Sequence, residues 1–226
     1  MNLSYIKEHK KDIIIAVTSV AVIFGLIYVA KNYVTNKGRL KHNAKKDLRK
    51  WKGKTETDKS MSDELVGYWK LAGKTFTKEQ MQQKSTHSSY PWSSVYIGHL
   101  VDKSGYKNFK PSASHSSYVV DAKGNRSNKI NHSYWAYKPS ELQKVEVGDI
   151  LVKNRSGNNY TLDSVSKGVV SHGDIVVDIT KINGQKYAIT QGGNVGDTVA
   201  QTKVPLTDNE RLLNKTVHFA QLKYKG

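Results

Sequence analysis

Ser93, His172 and Asn194 are three residues whose types and order could carry nucleophilic catalysis. A hydroxyl nucleophile needs a base within hydrogen-bond reach and a polar group that orients the base. Ser93 sits in YPWSSVYIGHL, residues 90–100, where a pair of serines opens an apolar run that reads as a helix. A helix N-terminus offers backbone N–H groups and a partial positive charge, both suited to a developing oxyanion. His172 begins the strand-like run SHGDIVVDI, and Asn194 follows the next such run in QGGN. A hairpin between the two runs would set His172 and Asn194 side by side. The chain has no cysteine, which excludes disulfides and thiolate metal sites.

Other side chains could support this constellation. Ser94 is adjacent to Ser93 and could replace it, although it points about a third of a turn away. Trp92 precedes the pair. Asp174 lies two residues beyond His172, hence on the same strand face, and could orient either that ring or His115. A metal site of His115, His172 and Asp174 has suitable ligand types, but no spacing motif supports it. No cofactor motif is present. Plainer readings stand beside these: Ser93 as a helix N-cap, His172 as a structural residue at a sheet edge, and Asp149 as a turn former after Gly148.

The elements that must position these groups fall in two blocks. SMSDELVGYWKLAGK, residues 60–74, reads as a helix with Ser62 as its cap and Gly73 as its stop. Leu65, Tyr68, Trp69 and Ala72 form its apolar stripe. Ser93 to Lys103 reads as a second helix, ended by Gly105 and apolar on more than one side. From Glu146 onward the pattern changes to VGDILVKN, SHGDIVVDITKI, QKYAITQGG and KTVHFAQLKY, short β-rich runs with a hairpin turn at Asn183-Gly184. Helices first and an antiparallel sheet afterwards predict an α+β domain over 59–226.

Ahead of it, residues 13–30 run without a charge, about the minimum length for a membrane-spanning helix. Bulky Tyr28 near the end of the run disfavours a cleaved signal peptide and favours a single-pass anchor after a short tail, 1–12. Residues 31–60 then carry eleven basic and three acidic side chains, a net +8 of the chain's +17. Residues 31–58 read as a basic juxtamembrane stalk, either bound to anionic headgroups or acidic polymers or simply solvated. The positive-inside rule puts this side in the cytoplasm, whereas an envelope function would put it outside. No motif supports sequence-specific nucleic-acid recognition.

Several stretches together resemble a known group. Pro91-Trp92-Ser93-Ser94-Val95-Tyr96, Ser114-His115-Ser116-Ser117-Tyr118, Gly148-Asp149-Ile150-Leu151-Val152 with Arg155, Ser171-His172-Gly173-Asp174-Ile175-Val176-Val177 and Gly192-Gly193-Asn194-Val195-Gly196-Asp197-Thr198-Val199 follow one another in order. This set resembles the DUF2272 family, and more distantly the papain-like cell-wall hydrolases of the NlpC and CHAP types. The resemblance implies a papain-like domain with N-terminal helices packed on an antiparallel sheet. It further implies Ser93 in the usual cysteine nucleophile slot, His172 in the base slot and Asn194 in the orienting slot. The implied activity is amide hydrolysis, on peptidoglycan or a related peptide. The alternative is a catalytically silent binding or structural module of an envelope or a virion, its groove filled by side chains such as Tyr118 or Trp135.

Overall fold

The structure, a computed structural model, describes residues 35–155 and 157–225. Its first element is helix α1, Asn36–Trp51, capped by Thr35, whose Oγ1 accepts from the Gly38 N–H at 3.0 Å. Four helices follow: α2, Ser62–Leu71; α3, Lys84–Ser89; α4, Ser93–Lys103; and α5, His115–Arg126. The strands are β1, Tyr134–Tyr137; β2, Ile150–Asn154; β3, Ser171–Ile182; β4, Gln185–Gly192; β5, Ala200–Leu206; and β6, His218–Tyr224. They form one sheet in the order β1-β6-β2-β3-β4-β5, antiparallel throughout. Asn183 and Gly184 both take positive φ, as a two-residue hairpin turn between β3 and β4 requires.

Alternation along the strands divides the apolar side chains between the two faces of the sheet. Ile150, Val152, Ile175, Val177, Ala220 and Leu222 join the helices in the main core. Leu151, Val176 and Ala188 fall on the other face, where Val145, Leu206 and Leu212 complete a smaller cluster. Helix α4 packs on β3 and β4, while α5 packs on β1, β3 and β6. The starts of both helices are thereby brought to the beginning of β3.

Two expectations change here. The segment 31–58, expected as a basic stalk, supplies α1 to the domain instead. Leu40, Ala44 and Trp51 are almost fully buried, because a stripe at helical spacing runs between the basic residues. The expected fold also included a transmembrane helix, and the described fold does not contain one. Among the described residues no helix is long and apolar enough to cross a membrane. The apolar run 13–30, with the tail before it, lies outside the described residues. The α+β arrangement of helices and an antiparallel sheet is present as expected.

Candidate active site

Ser93 is the first residue of α4, and its hydroxyl does not cap the helix. The capping position belongs to Trp92, which makes no side-chain cap bond. Trp92 is instead locked from two sides. Its ring stacks on Trp51 at 4.8 Å between centroids, and its indole N–H donates to Glu56 Oε2 at 2.8 Å. Glu56 is buried and also receives Lys84 at 2.8 Å. A charge-assisted network thus fixes the residue immediately before Ser93.

The Ser93 hydroxyl points at His115, with Oγ 2.8 Å from Nε2. His115 is the first residue of α5, so two helix N-termini meet at this one hydrogen bond. Its other ring nitrogen, Nδ1, is hydrogen-bonded to the Tyr118 hydroxyl, one turn further along α5. Ser93 and His115 are each only 3% exposed, and Tyr118 is fully buried. Burial, followed by the neighbouring His172 and Arg155, holds His115 well below the ordinary imidazole value. The positive end of α5 acts in the same direction. His115 is therefore neutral at pH 7 and has a lone pair to offer. Burial, then the Asp174 charge, pushes the Tyr118 phenol well up, so it stays protonated.

Gly173 makes this approach possible. A Cβ there would meet the Tyr118 hydroxyl at 2.6 Å and His115 Nδ1 at 2.8 Å. Gly173 therefore faces α5, and His172 and Asp174, of the other strand parity, turn toward each other beside His115 rather than toward Ser93. That parity is the physical reason for the main difference from the expected site. The expected partner of Ser93 is His172, yet the observed one is His115. The His172 Nε2 pairs with Asp174 Oδ1 at 2.9 Å, and the two imidazoles approach to 5.4 Å between centroids.

The remaining candidates are placed as follows. Ser94 Oγ is buried and has no hydrogen-bond partner among the described residues, so it does not share His115. Asn194 has positive φ and lines a neighbouring pocket with Glu56, Lys84 and Arg155. Among the described residues its side chain is bonded to neither histidine. Asp149 closes the turn before β2, accepting from Glu146 N–H at 3.0 Å and from Lys223 at 3.0 Å. Trp135 lies on β1 beneath Lys225, whose ammonium stands 4.9 Å from the ring centre. Among the described residues no group of three His, Asp or Glu side chains is arranged to hold a metal ion. No motif marks Tyr118 as the partner of His115; its position three residues on, one helical turn away, is the available signal.

Ser93 and His115 line a pocket of about 170 Å³ with Pro91, Ala113, Arg155 and Ser171. Chemically the arrangement is a hydroxyl, a neutral imidazole within bonding distance and a phenol behind it. It can transfer the serine proton to His115 if Nδ1–H donates to the Tyr118 oxygen and leaves Nε2 free to accept.

No curated protein and no solved structure matches the chain. The profile of a family described as "Uncharacterized protein conserved in bacteria (DUF2272)" matches residues 50–225, from the end of α1 through the last strand. That match takes in Ser93, His115, Tyr118, His172 and the whole sheet, and the chain belongs to the DUF2272 family.

Proposed function

We propose that the protein is an acyl-transfer hydrolase that cleaves an amide bond through a serine nucleophile. The observation that carries this reading is the 2.8 Å hydrogen bond from Ser93 Oγ to a neutral, buried His115. Ser93 Oγ attacks the carbonyl carbon while His115 Nε2 accepts its proton. The first-turn N–H groups of α4, which have no intrahelical partners, face the oxygen that gains charge. Collapse of the tetrahedral intermediate breaks the C–N bond, and His115 returns the proton to the leaving amine. Water then repeats the sequence on the acyl-serine. Tyr118 holds the imidazole in orientation, and the His172–Asp174 pair stands beside it. The substrate class follows from the resemblance to papain-like cell-wall hydrolases, namely a peptide amide such as those of peptidoglycan.

A second reading, a catalytically silent binding module, is favoured by the burial of both groups at 3% exposure. One experiment separates them. A fluorophosphonate probe should label the protein at Ser93, located by peptide mass analysis, and Ser93→Ala should remove the label. A folded protein that resists the probe at every pH would favour the silent module.

A further inference from the structure

Two pockets adjoin at the start of α4. One, of about 170 Å³, contains Ser93 and His115; the other, of about 350 Å³, contains Glu56, Lys84, His87, Asn194 and Asp197. Pro91 and Arg155 line both. Most charges in the second pocket satisfy one another, since Lys84 bridges Glu56 at 2.8 Å and Asp197 at 2.6 Å. Arg155 differs. Among the described residues its guanidinium makes neither a hydrogen bond nor an ion pair, although it is close enough to disfavour protonation of His115. A guanidinium is a planar fork of donors that matches a carboxylate with two parallel hydrogen bonds. The N-termini of α4 and α5 add positive potential on the same side.

We propose that Arg155 is the specificity residue of this site and grips a free carboxylate on a substrate that extends from the Ser93 pocket into the neighbouring one. This rests on the reading of Ser93 as the nucleophile. Without a substrate the unpaired cation works against the site, because it opposes the imidazolium that His115 becomes during attack. A bound carboxylate cancels that charge. Arg155 therefore both selects an anionic substrate and makes His115 a better base once it is bound. The carboxylate could belong to a chain terminus or to an acidic side chain; the chemistry at Arg155 is the same.

The test uses the full chain and two serine-directed fluorophosphonates, one with a neutral alkyl arm and one with the same arm ending in a carboxylate. The ratio of their labelling rates at Ser93 is the readout. Arg155 is exposed, so wild type should favour the anionic probe by about two- to fivefold, as expected for one solvent-exposed ion pair. The ratio should shrink with added salt, fall toward one in Arg155→Gln and survive in part in Arg155→Lys. A wild-type ratio near one, or one unchanged in Arg155→Gln, overturns the proposal. Binding is read separately by NMR, following the His115 ring and the Arg155 Nε–H during titration with N-acetylglycine and with N-acetylglutamate α-amide. Shifts in both signals in wild type, with the His115 shift lost in Arg155→Gln, support the carboxylate site even where the neutral probe leaves Ser93 unlabelled, a result that would sink the nucleophile alone. The stronger of the two ligands identifies a terminal or a side-chain carboxylate. No shift with either ligand overturns the proposal.

Discussion

A Cβ on Gly173 would stand 2.8 Å from His115 Nδ1, so strand β3 can pass behind the imidazole only without a side chain. The Tyr118 hydroxyl is closer still, at 2.6 Å. Both partners are buried side chains, so an added methyl must push the His115 ring toward the pocket it lines or shift the strand. Gly173→Ala should therefore displace His115 from Ser93. The expected stability loss is about 1–3 kcal/mol, the usual cost of an added methyl in a packed core. Labelling at Ser93 should slow by about a hundredfold, the effect of a catalytic group misplaced by roughly 1 Å. Urea unfolding and labelling kinetics read the two effects. Wild-type values for both would mean that β3 does not set the position of His115.

Ser93 offers a cleaner separation of stability from chemistry. Since its hydroxyl bonds His115 rather than a backbone N–H, it contributes no helix capping. Ser93→Ala loses one buried hydrogen bond, about 1 kcal/mol, and all labelling. Ser93→Asp, which a capping role would tolerate, instead places a carboxylate against a buried imidazole and should cost more than alanine. Ser93→Cys keeps the shape and should retain reactivity toward thiol-directed probes. Equal stability of the Ala and Asp variants would count against the observed hydrogen bond.

Buried imidazoles should make the fold acid-sensitive. Burial pushes His99 and His218 down to about 4, and His115 and His132 are lowered as well. An unfolded imidazole titrates near 6.5. Each folded value lies below the unfolded one, so this contribution to stability is complete above roughly pH 6.5 and is lost as pH falls toward 4. Asp47 and Asp149 run the other way. Burial raises both, so they favour the folded state at low pH and lose that contribution as pH rises through their folded values. Four lowered histidines, two of them down to about 4, outweigh the two raised carboxylates, so stability should be lower at pH 5.0 than at pH 7.5. Urea midpoints at the two pH values measure it. His218→Gln, which removes a ring whose Nδ1 is buried without a partner among the described residues, should shrink the difference.

Elements whose local pattern agrees with their final packing are legible in the amino-acid sequence. Helix α4 runs from Ser93 to Lys103, and β3 from Ser171 to Ile182, as their apolar runs and turn residues predict. Helix α1 is hidden because lysines and arginines surround the residues it buries, Leu40, Ala44 and Trp51. Helix α5 carries serines and Gly124, which lower helix propensity, so its register comes from packing on β1. Strand β5 contains Pro205 and is tolerated at the sheet edge. The choice between the two histidines depends on strand parity. Val176 is as apolar as Ile175 and Val177, so both faces of β3 look like core faces. Nothing in the spacing tells which face His172 takes.

The choice of base is therefore the most discriminating prediction. His115 holds the Ser93 proton acceptor at 2.8 Å, while His172 is engaged with Asp174 at 2.9 Å. Removing a positioned general base typically costs about 10²–10⁴ in rate. His115→Gln should lose that much labelling of Ser93, whereas His172→Gln, which leaves the Ser93–His115 contact in place, should lose about tenfold or less. The pH profile provides the second readout. Because His115 is held well below the ordinary imidazole value, labelling should stay level from pH 8 through pH 6 and fall only in more acidic solution. An inflection near 6.5 in wild type would place the working proton on an imidazole in an ordinary environment. If that inflection vanished in His172→Gln, the base would be His172, and His115 would be its positioning partner. Retention of full labelling in His115→Gln would lead to the same reversal.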